Sequence, residues 1–226
     1  MPQIVLHQWE ISPYCNKVRR ILAHKGLAYS ARNYNGLQAA QASKLSPAGK
    51  LPVMDYDGER VQDSSAIAAF LEQKHPEKPV FPRDPVERAQ CRIWEDWADE
   101  SLYFYTVYFR WAKPETFRNT VALLCEGRPK WERWIFSLAA GPGMKRKISY
   151  QGLGRLPEAR VEEQFFGHLD ALETILAGRD WLVGDRMSAA DISVAAQISE
   201  ILRSGSMRDR VTQGRPRLAD WLQRQS

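Results

Sequence analysis

Two side chains near the N-terminus have types and spacing suited to sulfur chemistry. Ser12 is followed by Pro13, the pattern of a helix that begins with a hydroxyl cap and a proline in its first turn. Cys15 lies three residues after Ser12, and hence on the same face of that helix. Hydroxyl donors and helix N-termini favour thiolates, so the pair predicts a thiolate-stabilising serine or a reactive cysteine. The alternatives are a serine that only caps its helix and a cysteine that is a small buried side chain.

A second polar group favours the binding of a carboxylate. Asp63, Ser64 and Ser65 lie where a helix is expected to begin, and the free N–H groups of a helix start bind carboxylates together with a hydroxyl. Asp63 either binds an ammonium group or caps the helix.

Composition excludes several classes of function. The 226 residues are 44% hydrophobic and 26% charged, as in a globular protein, and the formal net charge is +5. The basic segment 145–147 is too short for a nucleic-acid stripe, so we expect a solvated face and no nucleic-acid partner. Three scattered cysteines without a C-x-x-C motif, and histidines without ligand spacing, predict no disulfide and no metal. No apolar run approaches a membrane span and no leader pattern is found, so we expect a reducing cytoplasm.

The elements that must position these side chains form a small α/β unit. Apolar runs, Gly26 as a helix stop and the Tyr56-Asp57-Gly58 turn signal predict the order β-α-β-α-β-β-α, one sheet with helices packed on it. The expected strands are 4–7, 28–34, 51–54 and 60–61, and the expected helices are 12–25, 39–45 and 64–74.

A proline-rich segment then separates this unit from a helical one. The expected boundaries are residues 1–78, a stiff linker at 79–85, and an all-helical domain at 86–226. Helices are expected over 86–111, 157–176, 188–202 and 217–222, with breaks at 141–143 and at Gly152 and Gly154. Ser188 and Asp191 have the spacing of a capping box, which we interpret as structural.

Five motifs in order resemble glutathione S-transferases, closest to the serine- and cysteine-type classes. They are the turn Ser12-Pro13-Tyr14-Cys15, the segment Ser46-Pro47-Ala48-Gly49-Lys50-Leu51-Pro52-Val53, the helix start Asp63-Ser64-Ser65-Ala66-Ile67, the cap from Gly184 through Ser188-Ala189-Ala190-Asp191, and the closing helix Arg215-Pro216-Arg217-Leu218-Ala219-Asp220-Trp221-Leu222. Together they span nearly the whole chain. The resemblance implies an N-terminal thioredoxin-like domain followed by a helical-bundle domain.

The resemblance also implies a glutathione site and a role for each residue in it. Ser12 would stabilise the thiolate of glutathione, the co-substrate. Lys50, Leu51, Pro52, Asp63 and Ser64 would hold the tripeptide: a cis Pro52 would turn the Leu51 backbone outward, Asp63 and Ser64 would bind the γ-glutamyl group, and Lys50 would meet the glycyl carboxylate. The alternatives are an ordinary edge-strand proline and an exposed lysine. The second substrate would be an apolar electrophile, for which Tyr103, Tyr105, Tyr108 and Trp111 are candidate pocket residues. A homodimer is expected by analogy.

The middle of the chain departs from this pattern. Residues 113–157 are unusually basic and aromatic, and Gln151-Gly152-Leu153-Gly154-Arg155 resembles the metaxin-like and failed-axon-like branch, whose members need not be efficient transferases. Two other functions therefore stay open: a thiol-disulfide or deglutathionylating enzyme that uses Cys15, which occupies the place of the second cysteine in a Cys-Pro-Tyr-Cys turn, and a non-catalytic binding or scaffold protein.

Overall fold

The first part of the chain forms a four-stranded mixed sheet with its strands in the order β2-β1-β3-β4. The computed structural model describes residues 2–205 and 207–225. The strands are β1 (Ile4–Gln8), β2 (Ser30–Asn33), β3 (Val53–Tyr56) and β4 (Glu59–Gln62). β1 and β2 are parallel, whereas β1 with β3 and β3 with β4 are antiparallel. Asp57 and Gly58 connect β3 to β4 with positive φ values of 49° and 86°, as a tight hairpin of this hand requires.

Three helices pack on this sheet: α1 (Pro13–Lys25), α2 (Ala39–Ala42) and α3 (Ser64–Lys74). α1 begins at the predicted Ser12 cap and ends at Gly26, whose φ of 71° suits glycine. Two elements are shorter than predicted, because β2 covers only Ser30–Asn33 and α2 stops before residue 45. The Ser43 hydroxyl donates to the Ala40 carbonyl over 2.8 Å, a local bond that competes with continuation of α2.

The second part of the chain is helical. The helix predicted over 86–111 consists of α4 (Pro85–Asp96), a π-helical segment (Trp97–Leu102) and α5 (Tyr103–Trp111), which follow one another without a loop. The remaining helices are α6 (Pro114–Leu124), α7 (Lys130–Gln151), α8 (Glu158–Ile175), α9 (Ala189–Arg203), α10 (Arg208–Thr212) and α11 (Pro216–Arg224).

The predicted break at Gly141-Pro142-Gly143 was wrong, because α7 continues through all three residues. Proline lacks the N–H that would bond to the carbonyl four residues earlier, so helices usually kink or end there. Here Gly141 is buried against Phe117 of α6, and an added Cβ would lie 3.1 Å from that ring. Packing of α7 against α5 and α6 therefore outweighs the local preference. The second predicted break is correct, since α7 ends at Gly152.

α9 is the centre of the helical part and also packs against α1 of the sheet unit. The Asp191 carboxylate accepts bonds from the backbone and hydroxyl of Ser188, from the Leu182 backbone N–H and from the Trp221 indole, at 2.8–3.0 Å. This motif is structural, as interpreted from the sequence. Within the described residues, no helix is long and apolar enough to cross a membrane.

Candidate functional site

A cavity of about 1410 Å³ lies between the sheet unit and the helical part. The sheet unit contributes the turn before α1, the loop before β3 and the start of α3. The helical part contributes α4, the π-helical segment, α5, α6 and α7. Of the site residues predicted from the sequence, those on the cavity wall are Ser12, Lys50, Leu51, Pro52, Asp63 and Ser64. The structure therefore brings together three segments that are far apart in the sequence.

Ser12 caps α1 and also faces the cavity. Its Oγ accepts a long bond of 3.4 Å from the Cys15 backbone N–H, and its hydroxyl proton has the Cys15 thiol, a weak acceptor, within hydrogen-bonding range. The side chain is half-buried. The cap and a donor role are therefore compatible, because capping uses an oxygen lone pair and donation uses the proton.

Tyr14, on the same turn, is not a comparable donor to the cavity. Its hydroxyl donates to the Asp99 carbonyl over 2.7 Å. Burial, with nearby Tyr103 and acidic groups, holds the pKa of Tyr14 far above its ordinary value, so the phenol stays neutral. In this turn the Ser12 hydroxyl is thus the better donor to the cavity, because its neighbouring acceptor is a thiol, which is weaker than the carbonyl that holds the Tyr14 proton.

Cys15 lies outside the cavity wall and is fully buried, at 0% exposure. It packs with Tyr34, Leu51 and Val53. Burial raises the pKa of the Cys15 thiol to about 11, although a hydrogen bond with Ser12 opposes this. The structure therefore favours the alternative of a small buried side chain over a reactive thiol.

Lys50, Leu51 and Pro52 form the wall opposite the helical part. The Leu51–Pro52 peptide bond is cis, as expected from the sequence. Among the described residues, neither the N–H nor the C=O of Leu51 has a backbone partner. Lys50 is exposed and has no ion-pair partner in the same part of the chain. This segment can thus offer two free backbone groups and an ammonium group to a bound peptide.

Asp63 and Ser64 have different tasks at the start of α3. Asp63 is the cap: its Oδ1 accepts the N–H bonds of Ser65 and Ala66 at 2.9 and 3.1 Å, with a φ of 76° at Asp63. Its Oδ2 has no partner among the described residues and stays available to an ammonium group. Ser64, the first residue of α3, is 3% exposed and lies on the cavity wall. Both alternatives for Asp63 therefore remain physically compatible.

A buried lysine beneath α3 was missed by the sequence analysis. Lys17, 1% exposed, donates to the Ser65 hydroxyl and to Asp99, and its Nζ lies 2.9 Å from Glu95. Burial lowers the pKa of Lys17, but the two carboxylates raise it above its ordinary value, so an ammonium ion is held here. The sequence does show Lys17 on the apolar side of α1, and Glu95 and Asp99 four residues apart. It does not show that this lysine forms ion pairs with those two carboxylates.

The helical part supplies the apolar side of the cavity. Tyr103 and Trp111 line it as predicted, whereas Tyr105 and Tyr108 do not. Tyr105 instead packs on Phe165 of α8, and Tyr108 contacts Phe109. Side chains that the sequence analysis missed are Val107, Phe136 and Met144. Within the described residues, no cluster of possible metal ligands is present.

Arg110 connects the helical part to the turn before α1. Its guanidinium donates to the Ile11 carbonyl over 2.7 Å and pairs with Glu200 over 2.6 Å. Burial lowers the pKa of Arg110, opposed by the Glu200 carboxylate. The residue immediately before Ser12 is therefore held from the opposite side of the cavity.

Comparison with known proteins agrees with this arrangement. Residues 6–79 match the model of the glutathione S-transferase N-terminal domain, and residues 158–224 match that of the C-terminal domain. The chain is 28% identical over 228 residues to the isoprene-epoxide glutathione S-transferase of Rhodococcus sp. (strain AD45), which covers 95% of this chain and 91% of the relative.

Two solved structures share the fold over almost the full length. The beta-etherase LigF of Sphingobium sp. strain SYK-6 has a TM-score of 0.69 at 24% identity, covering 98% of this chain and 94% of LigF. A glutathione S-transferase of Methylobacterium radiotolerans, solved in complex with glutathione sulfonate, has a TM-score of 0.63 at 26% identity, covering 98% of this chain and 89% of that one. Two matching domain models that together cover more than half of the residues, in this thioredoxin-like and helical architecture, show that the chain belongs to the glutathione S-transferase superfamily.

Proposed function

We propose that this enzyme binds glutathione along the sheet-unit wall of the cavity and transfers it to an apolar electrophile. Glutathione carries two carboxylates, an ammonium group, two peptide bonds and a thiol. The α3 start with Ser64 suits the γ-glutamyl carboxylate, and the free Oδ2 of Asp63 suits the ammonium group. The free Leu51 backbone suits a peptide bond, and Lys50 suits the glycyl carboxylate.

In the proposed reaction Ser12 donates a hydrogen bond to the sulfur. The thiol loses its proton to solvent, and an electron pair of the thiolate forms the new carbon–sulfur bond. The bond from that carbon to the leaving group breaks, and its electron pair departs with the leaving group. A thiol of pKa about 8.5 is only a few per cent ionised at neutral pH. Lowering that pKa by about two units raises the thiolate fraction roughly 25-fold. The thiolate of lower pKa is also a weaker nucleophile, by roughly 8-fold at a Brønsted slope near 0.45. The remaining gain is about threefold, so positioning thiol and electrophile in one cavity must supply most of the acceleration.

The names of two relatives suggest the class of electrophile. One is an isoprene-epoxide glutathione transferase and the other a beta-etherase. Epoxides and ethers both contain a carbon–oxygen bond. We propose that this chain also acts on apolar epoxides or ethers, which suit the Val107, Trp111 and Phe136 side of the cavity.

We further propose domain boundaries at residues 1–78, 79–85 and 86–226, a cytoplasmic location and a homodimer. The exposed apolar side chains Val86 and Ile93, seven residues apart on α4, are the face that we assign to the second copy. Light scattering should then give about twice the chain mass of 25.9 kDa. A mass of one chain would contradict the dimer.

The observation that carries the proposal is that the Ser12 hydroxyl, the Leu51 backbone and Ser64 line one cavity. The Ser12→Ala variant should still bind glutathione by calorimetry but lose the ultraviolet absorbance of the bound thiolate. Turnover of an electrophile panel at neutral pH should fall by about threefold, the net gain that remains after the lower nucleophilicity of the stabilised thiolate is counted. Ser137→Ala, on α7 outside the cavity wall, is the matched control and should behave as wild type.

Other outcomes would favour the rival functions. Unchanged turnover in Ser12→Ala would remove Ser12 from the mechanism. A glutathione adduct on Cys15 by mass spectrometry, with thiol exchange abolished in Cys15→Ser, would favour the deglutathionylating enzyme. Glutathione binding without any turnover would favour a scaffold protein. No binding at millimolar glutathione would overturn the proposal.

A further inference from the structure

A lysine and a tyrosine from different helices meet on the helical side of the cavity. Lys147 of α7 donates from its Nζ to the Tyr103 Oη over 3.1 Å, and both residues line the cavity. The same Nζ lies 4.8 Å from the centre of the Tyr103 ring and 5.7 Å from that of Phe104. Among the described residues Lys147 has no carboxylate partner. The ammonium group is thus held on the phenol by a hydrogen bond and two ring contacts.

The Tyr103 hydroxyl differs from those of the neighbouring tyrosines. It accepts the bond from Lys147, so its own proton stays available, and no acceptor for that proton is found among residues 2–205 and 207–225. The Tyr14 proton is donated to Asp99, and the Tyr105 hydroxyl lies 3.5 Å from Gln164 and His168, away from the cavity. Tyr103 therefore presents a phenol that can donate into the cavity.

Tyr103 contacts the turn that carries Ser12. Its ring centre is 5.0 Å from that of Tyr14, which is two residues after Ser12. Ser12, Tyr14 and Tyr103 all border the same space. An electrophile bound in this space can therefore be reached both by a thiolate at Ser12 and by the Tyr103 hydroxyl.

We propose that Tyr103 is the proton donor to a departing oxygen and that Lys147 positions it, which makes the enzyme selective for electrophiles whose carbon–oxygen bond breaks. This rests on the proposed function. The thiolate pair forms the carbon–sulfur bond, the carbon–oxygen pair moves onto oxygen, and the Tyr103 proton bonds to that oxygen as an alcohol forms. The resulting phenolate is left beside the Lys147 ammonium, which stabilises it until solvent returns a proton.

The test compares two leaving groups in the full-length enzyme. Styrene oxide needs a proton on its oxygen, whereas chlorodinitrobenzene releases chloride, which needs none. Tyr103→Phe should lower the ratio of kcat/KM for the epoxide to that for the chloride by about 10², the usual size of a general-acid effect. Lys147→Gln should lower the same ratio by about tenfold, and Lys147→Arg should restore most of it. Tyr105→Phe, a tyrosine outside the cavity, is the matched control.

Further readouts separate this role from a structural one. Tyr103→Phe should keep the thiolate absorbance that Ser12→Ala loses, because the two hydroxyls act on different atoms. Equal losses with both substrates, or no loss with either, would overturn the proposal. A wild-type enzyme active only on the chloride would overturn the oxygen selectivity while leaving glutathione transfer intact. A wild-type protein that binds no glutathione would overturn the proposed function itself, and the Tyr103 proposal with it.

Discussion

One turn of α1 shows how neighbouring side chains are assigned different tasks. Ser12 faces the cavity, Tyr14 bonds across to Asp99, and Cys15 is buried among apolar side chains. The hydroxyl, phenol and thiol all have chemistry that suits an active site. Of these three side chains, burial and existing hydrogen bonds leave Ser12 as the best placed to donate a proton into the cavity.

A single carboxylate on the sheet gives a pH prediction. Asp55 of β3 bonds to Arg60 at 2.7 and 2.8 Å and to His7 at 3.0 Å, and these bonds, Arg60 first, lower the pKa of Asp55 from 3.8 to about 2. Because the folded pKa is below the unfolded one, Asp55 stabilises the fold above 3.8, and that stability is lost as pH falls toward 2. Asp55→Asn should therefore flatten the acid side of the urea-unfolding profile. Exposed Asp220→Asn should keep the wild-type slope. The same acid slope in Asp55→Asn would contradict this assignment.

At the scale of elements, α7 is the clearest conflict between sequence and structure. It runs from Lys130 to Gln151 through an interior proline, and its inner face closes the cavity with Phe136, Met144 and Lys147. At its N-terminal end, the buried Glu132 pairs with Arg128 and accepts the Leu37 N–H at 3.0 Å. α7 is thus anchored to the sheet unit as well as to α5 and α6.

Three substitutions in α7 should separate local helix preference from packing. Pro142→Ala restores a backbone N–H and should stabilise the protein by up to about 3 kcal/mol. Gly143→Ala should add up to about 1 kcal/mol, since a Cβ there meets nothing within 4 Å. Gly141→Ala should bring no gain, because its Cβ would press on the Phe117 ring at 3.1 Å. Thermal unfolding measures all three, and equal gains at residues 141 and 143 would contradict the packing explanation.

At the scale of the whole molecule, charged groups hold the two parts of the cavity together. Lys17 of the sheet unit pairs with Glu95 and Asp99 of the helical part, and Arg110 of α5 holds the Ile11 carbonyl. Burial raises the pKa of Asp99, and the Lys17 ammonium opposes that rise. The ammonium therefore favours the charged form of the Asp99 carboxylate. Both parts of the chain thus position α1 and the turn before it.

Removing one member of this buried group should be costly. Lys17→Met leaves two carboxylates without their ammonium partner and should lower the free energy of unfolding by about 3–5 kcal/mol. Arg160→Met, which breaks the exposed Arg160–Glu163 pair, should cost less than about 1 kcal/mol. Urea denaturation of both variants makes the comparison. Similar losses would show that the buried group does not hold the parts together.

Much of the architecture follows from the sequence by local rules. Ser12-Pro13, Gly26, the Asp57-Gly58 turn and the Ser188–Asp191 cap fix where elements begin and end, because each requires a particular backbone conformation or hydrogen bond. The ordered motifs also indicated the family and the cis Pro52. Local rules failed at residues 141–143, where the contact of Gly141 with Phe117 lies outside any local window.

The sequence by itself determined which residue types are available at the site: a serine at a helix start, a loop with a cis proline and a second helix start. Only the tertiary structure decided that Ser12 faces the cavity while Cys15 does not, that Lys17 lies beneath α3, and that Tyr103 rather than Tyr105 meets Lys147. The physical reason is that hydrogen-bond partners and burial depend on contacts between distant segments, which residue spacing along one helix does not specify.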